Sequence, residues 1–194
     1  MNTLASPQTI LVYGHLSADP TAVARAFGAT LSSEVDSRAD CAIFVINPST
    51  GIDQATIDIW QAFDEYVTPR MVVVTHIQNH EADFDDAVML ANRVFDRMAT
   101  PFLVLHDDGG LACALISLES LLVIDYSTAP SAIIASESEL KTLVQEFREE
   151  YLELVLSLGE DAFAAGLLFP AIPLWIERGI GVDVVQSYLN QISP

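Results

Sequence analysis

Positive charge is scarce in this chain. Its 194 residues carry 8 Lys+Arg against 27 Asp+Glu, a formal net charge of −19. Such a surface repels polyanions, because nonspecific nucleic-acid affinity comes from Lys and Arg displacing counterions. Direct nucleic-acid binding and docking on anionic lipid are therefore disfavoured. A basic protein partner, a saline cytoplasm or solubility alone would each account for the acidity. Cysteine is also rare. Cys41 and Cys113 lie isolated in apolar runs, where cysteine acts as a small hydrophobe, and their spacing argues for no disulfide. No apolar run reaches bilayer length: the longest, residues 111–124, is interrupted by Ser117, Glu119 and Ser120. The opening Met-Asn-Thr-Leu-Ala-Ser-Pro has no basic segment leading into an apolar one, so no signal peptide is apparent and the cytoplasm is the expected compartment. Neither a Gly-x-Ser-x-Gly turn nor a Cys/His nucleophile signature is present.

What the chain does have is apolar material in a regular order. With 51% hydrophobic and 18% charged residues it reads as a folded protein, and its length suits one domain, residues 1–194. Strand-like apolar runs occur at residues 9–13, 41–46, 71–75, 102–105, 111–118, 121–126 and 168–174. Helical periodicity fills much of the remainder. Ile52, Ala55, Ile59, Ala62, Phe63 and Tyr66 share one face, as do Phe84, Ala87, Val88, Ala91, Val94, Phe95 and Met98. Two later sets run from Leu140 to Leu158 and from Val182 to Ile192. The run Met71-Val-Val-Val-Thr75 is apolar throughout, as expected where helices cover both faces of a sheet. The alternation predicts an α/β fold with three layers and a mostly parallel sheet. Asp107-Asp-Gly-Gly110 breaks it, joining apolar runs without a helix between them. That predicts a small antiparallel hairpin insertion at about residues 101–135. The Ser/Ala-rich residues 127–138 read as a loop.

Asp19-Pro20-Thr21 makes a good helix start, with Asp as N-cap and Pro at the first helical position, and Gly28 makes a good stop. His76-x-x-x-His80, with Glu81 and Asp83, has metal-ligand spacing only if helical; in the element order above it falls in a loop, and no metal is expected. Asp83, Asp85 and Asp86 open a helix, where acids favour the positive dipole end.

Within that architecture, several segments resemble the GTP-binding domain of the translational GTPases, most closely elongation factor G. Gly14-His15-Leu16-Ser17-Ala18-Asp19-Pro20-Thr21 is similar to the family's Gly-His-Val-Asp-Ala-Gly-Lys-Thr. Asp40-Cys-Ala-Ile-Phe-Val-Ile-Asn-Pro-Ser-Thr-Gly-Ile52 resembles Asp-Gly-Ala-Val-Leu-Val-Val-Asp-Ala-Val-x-Gly-Val, and Trp60 falls where that family has Trp. Thr68-Pro-Arg-Met-Val-Val-Val-Thr-His-Ile-Gln78 looks like Val-Pro-Arg-Ile-Val-Phe-Val-Asn-Lys-Met-Asp. Phe169-Pro-Ala-Ile-Pro-Leu-Trp-Ile-Glu-Arg-Gly-Ile-Gly-Val182 and Tyr188-Leu-Asn-Gln-Ile-Ser-Pro194 match the segments that close the domain. The likeness is collinear over nearly the whole chain. The hairpin region corresponds to that family's inserted subdomain.

At each nucleotide-reading position the chain departs from this pattern. The phosphate loop keeps Gly14, His15 and Thr21 but has Asp19 and Pro20 in place of Gly and Lys. A carboxylate about 4 Å from a phosphate charge costs roughly 4 kcal/mol at an effective dielectric near 20, about three decades in affinity. Thr75, His76 and Gln78 stand where the family reads guanine with Asn, Lys and Asp. Trp175 and Ile176 replace the small residues of the last base contact, and Trp175 is expected to pack inward against residues 75–78. About a dozen residues separate Gly28 from Cys41, where the family has several dozen, including the first switch and the turn that holds magnesium. Only Glu34-Val35 resembles the helix after that turn.

The resemblance therefore implies a stand-alone pseudo-GTPase that binds no cofactor, lacks the RNA-contacting domains and acts as an interaction or regulatory module. Two other readings stay open: a weak GTP or GDP binder with magnesium and a remodelled loop, and an unrelated α/β enzyme with its site at the strand ends. The expected partner is a protein or a second copy, with neither nucleic acid nor membrane. In that family two further strands flank the first one. Without them residues 9–13 would form a sheet edge, covered by the N-terminal residues, by residues 29–40 or by another chain, with a salt-tightened homodimer favoured.

Overall fold

The computed structural model describes residues 8–78 and 82–192. Its main sheet is all parallel. Strands β1 (Ile10–Tyr13), β2 (Thr30–Leu31), β3 (Cys41–Ile46), β4 (Arg70–Val74), β5 (Met98–Ala99) and β10 (Phe169–Pro173) lie in the order β2-β1-β3-β4-β10-β5. Every residue of β3 and β4 is buried, as in a sheet covered on both faces. The crossovers carry α1 (Pro20–Ala26), α2 (Gln54–Ala62) and α3 (Phe84–Val94), and α6 (Val182–Leu189) follows β10. Pro173 is tolerated in β10 because β5 pairs only with Phe169 and Pro170, leaving the far end of the strand open on that side.

A second sheet contains four antiparallel strands in sequential order: β6 (Phe102–His106), β7 (Ala112–Ser117), β8 (Leu122–Asp125) and β9 (Ala132–Ala135). Two helices, α4 (Ser138–Leu143) and α5 (Gln145–Leu158), then return the chain to β10. The fold is thus mixed α/β, with a mostly parallel sheet and a small antiparallel one.

Two sequence expectations need correction, and the open choice of what covers β1 resolves to residues 29–40. Residues 127–138 are not all loop, because Ala132–Ala135 pairs with β8 as a strand. The helical run from Leu140 to Leu158 is two helices meeting at Val144. Nor is β1 an open edge. Residues Thr30 and Leu31 pair with Leu11 and Val12, and the Ser32 N–H extends the ladder to the Val12 carbonyl at 3.0 Å. On the other side of β1, toward β3, Asp40 clasps the start of the strand, accepting from the Thr9 N–H at 2.7 Å through its carboxylate and donating to the Thr9 carbonyl through its own N–H. The Tyr13 hydroxyl completes the seal by donating to the Glu34 carbonyl at 2.8 Å. The short segment after α1 therefore satisfies the groups that a bare edge would expose.

Aromatic rings dominate the core on one side of the sheet. Phe44 stacks on Tyr13 at 5.2 Å and meets Trp60 edge-on at 4.8 Å, while Trp60 stacks on Phe95 at 4.4 Å. Arg70 is buried among them. Its guanidinium lies 4.6 Å from the Trp60 ring centre and 4.7 Å from that of Phe169, and it donates to the Trp60 carbonyl and to Asp64. This fixes the N-terminal end of β4 and leaves the loops at the opposite end of the sheet as the place to look for a site. No described helix is long and apolar enough to cross a membrane.

Candidate functional site

The loop after β1 is shaped by its contact with β3. Gly14 has φ +151°, and a Cβ there would come within 2.5 Å of the Val45 carbonyl oxygen, so only glycine fits. His15 then starts a tight turn at residues Leu16–Ala18, with its Nδ1 accepting from the Ser17 N–H at 3.2 Å. The Ala18 and Asp19 N–H groups are also used internally, donating to the carbonyls of His15 (2.9 Å) and Leu16 (3.1 Å). Asp19 takes a left-handed conformation, φ 55°, and caps α1 by accepting from the Ala22 N–H at 3.3 Å; Pro20 is the first helical residue. Thr21 is exposed in the first turn.

Neighbouring strand ends hold this loop in place. The Ser17 carbonyl accepts from Asn47 Nδ2 at 2.9 Å, and the Ser17 and Thr50 hydroxyls are 2.8 Å apart. The Thr75 hydroxyl donates to the Ala18 carbonyl at 2.8 Å. Its one proton is used there, so the 3.0 Å contact with His76 Nδ1 requires an Nδ1–H donor. His76 is itself left-handed, φ 57°. Gln78 Oε1 is buried and has no hydrogen-bond partner among the described residues.

Sequence reasoning placed Thr75, His76, Gln78, Trp175 and Ile176 together, and the structure brings them to one cleft, completed by Asp19 and Glu177. Trp175 shares the cleft with Thr75, His76 and Gln78 but is only partly buried: it packs against the edge of the core, and the Arg178 guanidinium lies 5.2 Å from its ring centre. The cleft measures about 70 Å³. Pockets that hold small molecules span roughly 300–1,000 Å³. Two carboxylates at its mouth oppose an anion, and the chain's one lysine, Lys141, lies on α4 rather than in this loop. The residues present do not fit a nucleotide diphosphate: the N–H groups of Ser17, Ala18, Asp19 and Ala22 are engaged within the chain, and a capping carboxylate stands where the phosphate charge would go.

Among the described residues the magnesium side of such a site has no counterpart either. The segment resembling the end of the switch is spent on covering β1, and Glu34 contributes its carbonyl to Tyr13 there. Among the described residues no group of three His, Cys, Asp or Glu side chains could hold a metal ion. His80 and Glu81 lie outside the described residues. Asp83 and Asp86 form a reciprocal cap on α3, each carboxylate accepting from the other's N–H at 3.0–3.1 Å. Sequence reasoning assigned no role to Asn47 and Thr50, which anchor the loop. The only signal was their place at the end of an apolar run, where a polar residue meets the loops above the sheet.

No family model matches the chain. It is similar to the elongation factor G-like protein of Mycobacterium tuberculosis, in strains CDC 1551 and H37Rv alike, with 26% identity over 167 residues. That similarity covers 74% of this chain and 23% of the relative, so the chain spans about a quarter of the length of the proteins it matches. In structure it resembles a crystal structure from Thermus thermophilus with a TM-score of 0.69 and 23% identity, over 81% of this chain and 27% of that one. The sequence is thus related to an elongation factor G-like protein, and the fold is that of the matched part of the Thermus chain.

Proposed function

We propose that this chain is a non-catalytic relative of the translational GTPase nucleotide domain, acting through contact with a protein partner or a second copy. The observation that carries the reading is the self-capped loop. In a phosphate-binding loop the amides at the helix start are left free for the ligand. Here the N–H groups of Ser17, Ala18, Asp19 and Ala22 all donate within the loop and helix start. The cleft beside it is too small for a nucleoside and is bounded by Asp19 and Glu177. The missing switch segment removes the usual means of coupling γ-phosphate to a conformational change. Calorimetric titration with GTP, GDP and ATP in magnesium tests the reading. Silence into the millimolar range is expected, and guanine-selective binding in the micromolar range would overturn it.

A further inference from the structure

The free edge of the antiparallel sheet carries a second conclusion, independent of whether nucleotide binds. Strand order places β9 at the end of that sheet, and among the described residues only β8 pairs with it. Its outer N–H and C=O groups face solvent. So do its side chains: Ile133 is 69% and Ile134 48% exposed, and Leu122 on β8 adds an apolar neighbour at 41%. Proteins usually guard such an edge with a lysine, a proline, a bulge or an inward charge. Ala132-Ile-Ile-Ala135 has none of these, and the sheet's one irregularity lies at Leu105/His106 between β6 and β7.

We propose that two copies of this chain pair through β9, joining their four-stranded sheets into one of eight strands. Charge decides the occupant. Residues 127–136 contain no charged side chain, although 18% of the chain is charged. A basic partner would be drawn to carboxylates, and this strand offers none. A second copy offers the same uncharged, β-branched strand, and an antiparallel edge is self-complementary about a two-fold axis perpendicular to the sheet. The ladder then continues antiparallel, with the isoleucines of both copies packed around the axis. The nearest charges, Asp125 opposite Ala132 and Glu137 just beyond the strand, are acidic in both copies. They add to the −19 carried by each chain, so the dimer is weak in dilute buffer and tightens as salt screens the repulsion.

Sedimentation equilibrium across protein and sodium chloride concentrations tests this with the wild type, Ile133→Lys and Ile134→Lys. Both positions are exposed, so circular dichroism should show the fold intact. We expect a monomer–dimer equilibrium that strengthens with salt and is weakened roughly tenfold or more by either lysine. Hydrogen exchange on the wild type gives an answer that needs no variant: amides 132–135 should gain protection as concentration rises. A wild type that stays monomeric at high micromolar concentration in every salt would overturn the proposal. A dimer that ignores both lysines, or that forms without new protection in 132–135, would do so equally.

Discussion

The Thr75 hydroxyl donates to the carbonyl of Ala18 at 2.8 Å, joining the end of β4 to the loop after β1 across 57 residues of sequence. Both residues are buried. Thr75→Val keeps the shape but leaves the Ala18 carbonyl without this donor, and a buried unsatisfied acceptor costs about 1–3 kcal/mol. Urea unfolding should register that loss. The Ile46 carbonyl is spared, because the Thr75 backbone N–H still reaches it at 3.0 Å.

Asp19 holds two roles that substitutions separate. Asp19→Ala removes the cap and places a Cβ-bearing, non-capping residue in a left-handed conformation, so it should cost about 0.5–2 kcal/mol. Asp19→Gly restores conformational ease and should cost only a few tenths by thermal melting. Combining Asp19→Gly with Pro20→Lys frees backbone donors and supplies an ammonium, yet magnesium-stimulated GTP turnover should remain at background. Measurable turnover in that double variant would contradict the account of the shortened switch segment.

Asp53 sets a pH dependence. Burial pushes its carboxyl upward, but the Thr56 N–H and hydroxyl both donate to it at 2.9 Å with His15 nearby, and the net effect holds it below the usual carboxylate range. A folded pKa below the unfolded one gives stability that is full above about pH 4 and lost as pH falls through the folded value. Asp53→Asn should therefore lower the melting temperature at neutral pH, and its difference from wild type should shrink steadily in acid. A gap that stays constant down to about pH 2–3 would remove the carboxylate from the explanation.

The two thiols should be chemically distinct. Burial in β3 pushes the Cys41 thiol far up, with the Asp40 charge adding to it, while Cys113 is raised by milder burial and by Asp107 and Asp125. The thiolate is the reactive species. A thiol reagent at neutral pH should label Cys113 slowly in the folded protein and Cys41 only on unfolding, as mass spectrometry of the digested adduct would show.

Much of this architecture is legible in the sequence because burial on both sheet faces leaves unbroken apolar runs, as at Cys41–Ile46. The start of α1 is equally plain, since Asp19-Pro20 specifies it locally. Strands β2 and β5 are not legible. Each has two residues, too few for any period, and exists because a neighbouring strand needed its edge paired. Strand β9 is hidden by the serines and alanines around Ile133-Ile134, so composition pointed to a loop where tertiary pairing made a ladder. In the site, residue types pointed to Asp19 as a helix cap and to Thr75, His76, Gln78 and Trp175 as neighbours. They did not foretell the Thr75–Ala18 bond or the left-handed His76, both of which depend on how two distant loops meet.

The chain has two tryptophans, and the fold sends them to opposite ends of the parallel sheet. Trp60 is sealed beside Arg70 at the N-terminal end of β4, whereas Trp175 is partly exposed where β10 runs out into the cleft. Intrinsic fluorescence therefore holds two separable signals. Emission from Trp60 follows the integrity of the whole core, while that from Trp175 follows local events above the sheet. With Trp175→Phe as the blank, the protein reports on its own cleft without a label, and a quenching ion would distinguish a molecule entering there from one bound anywhere else.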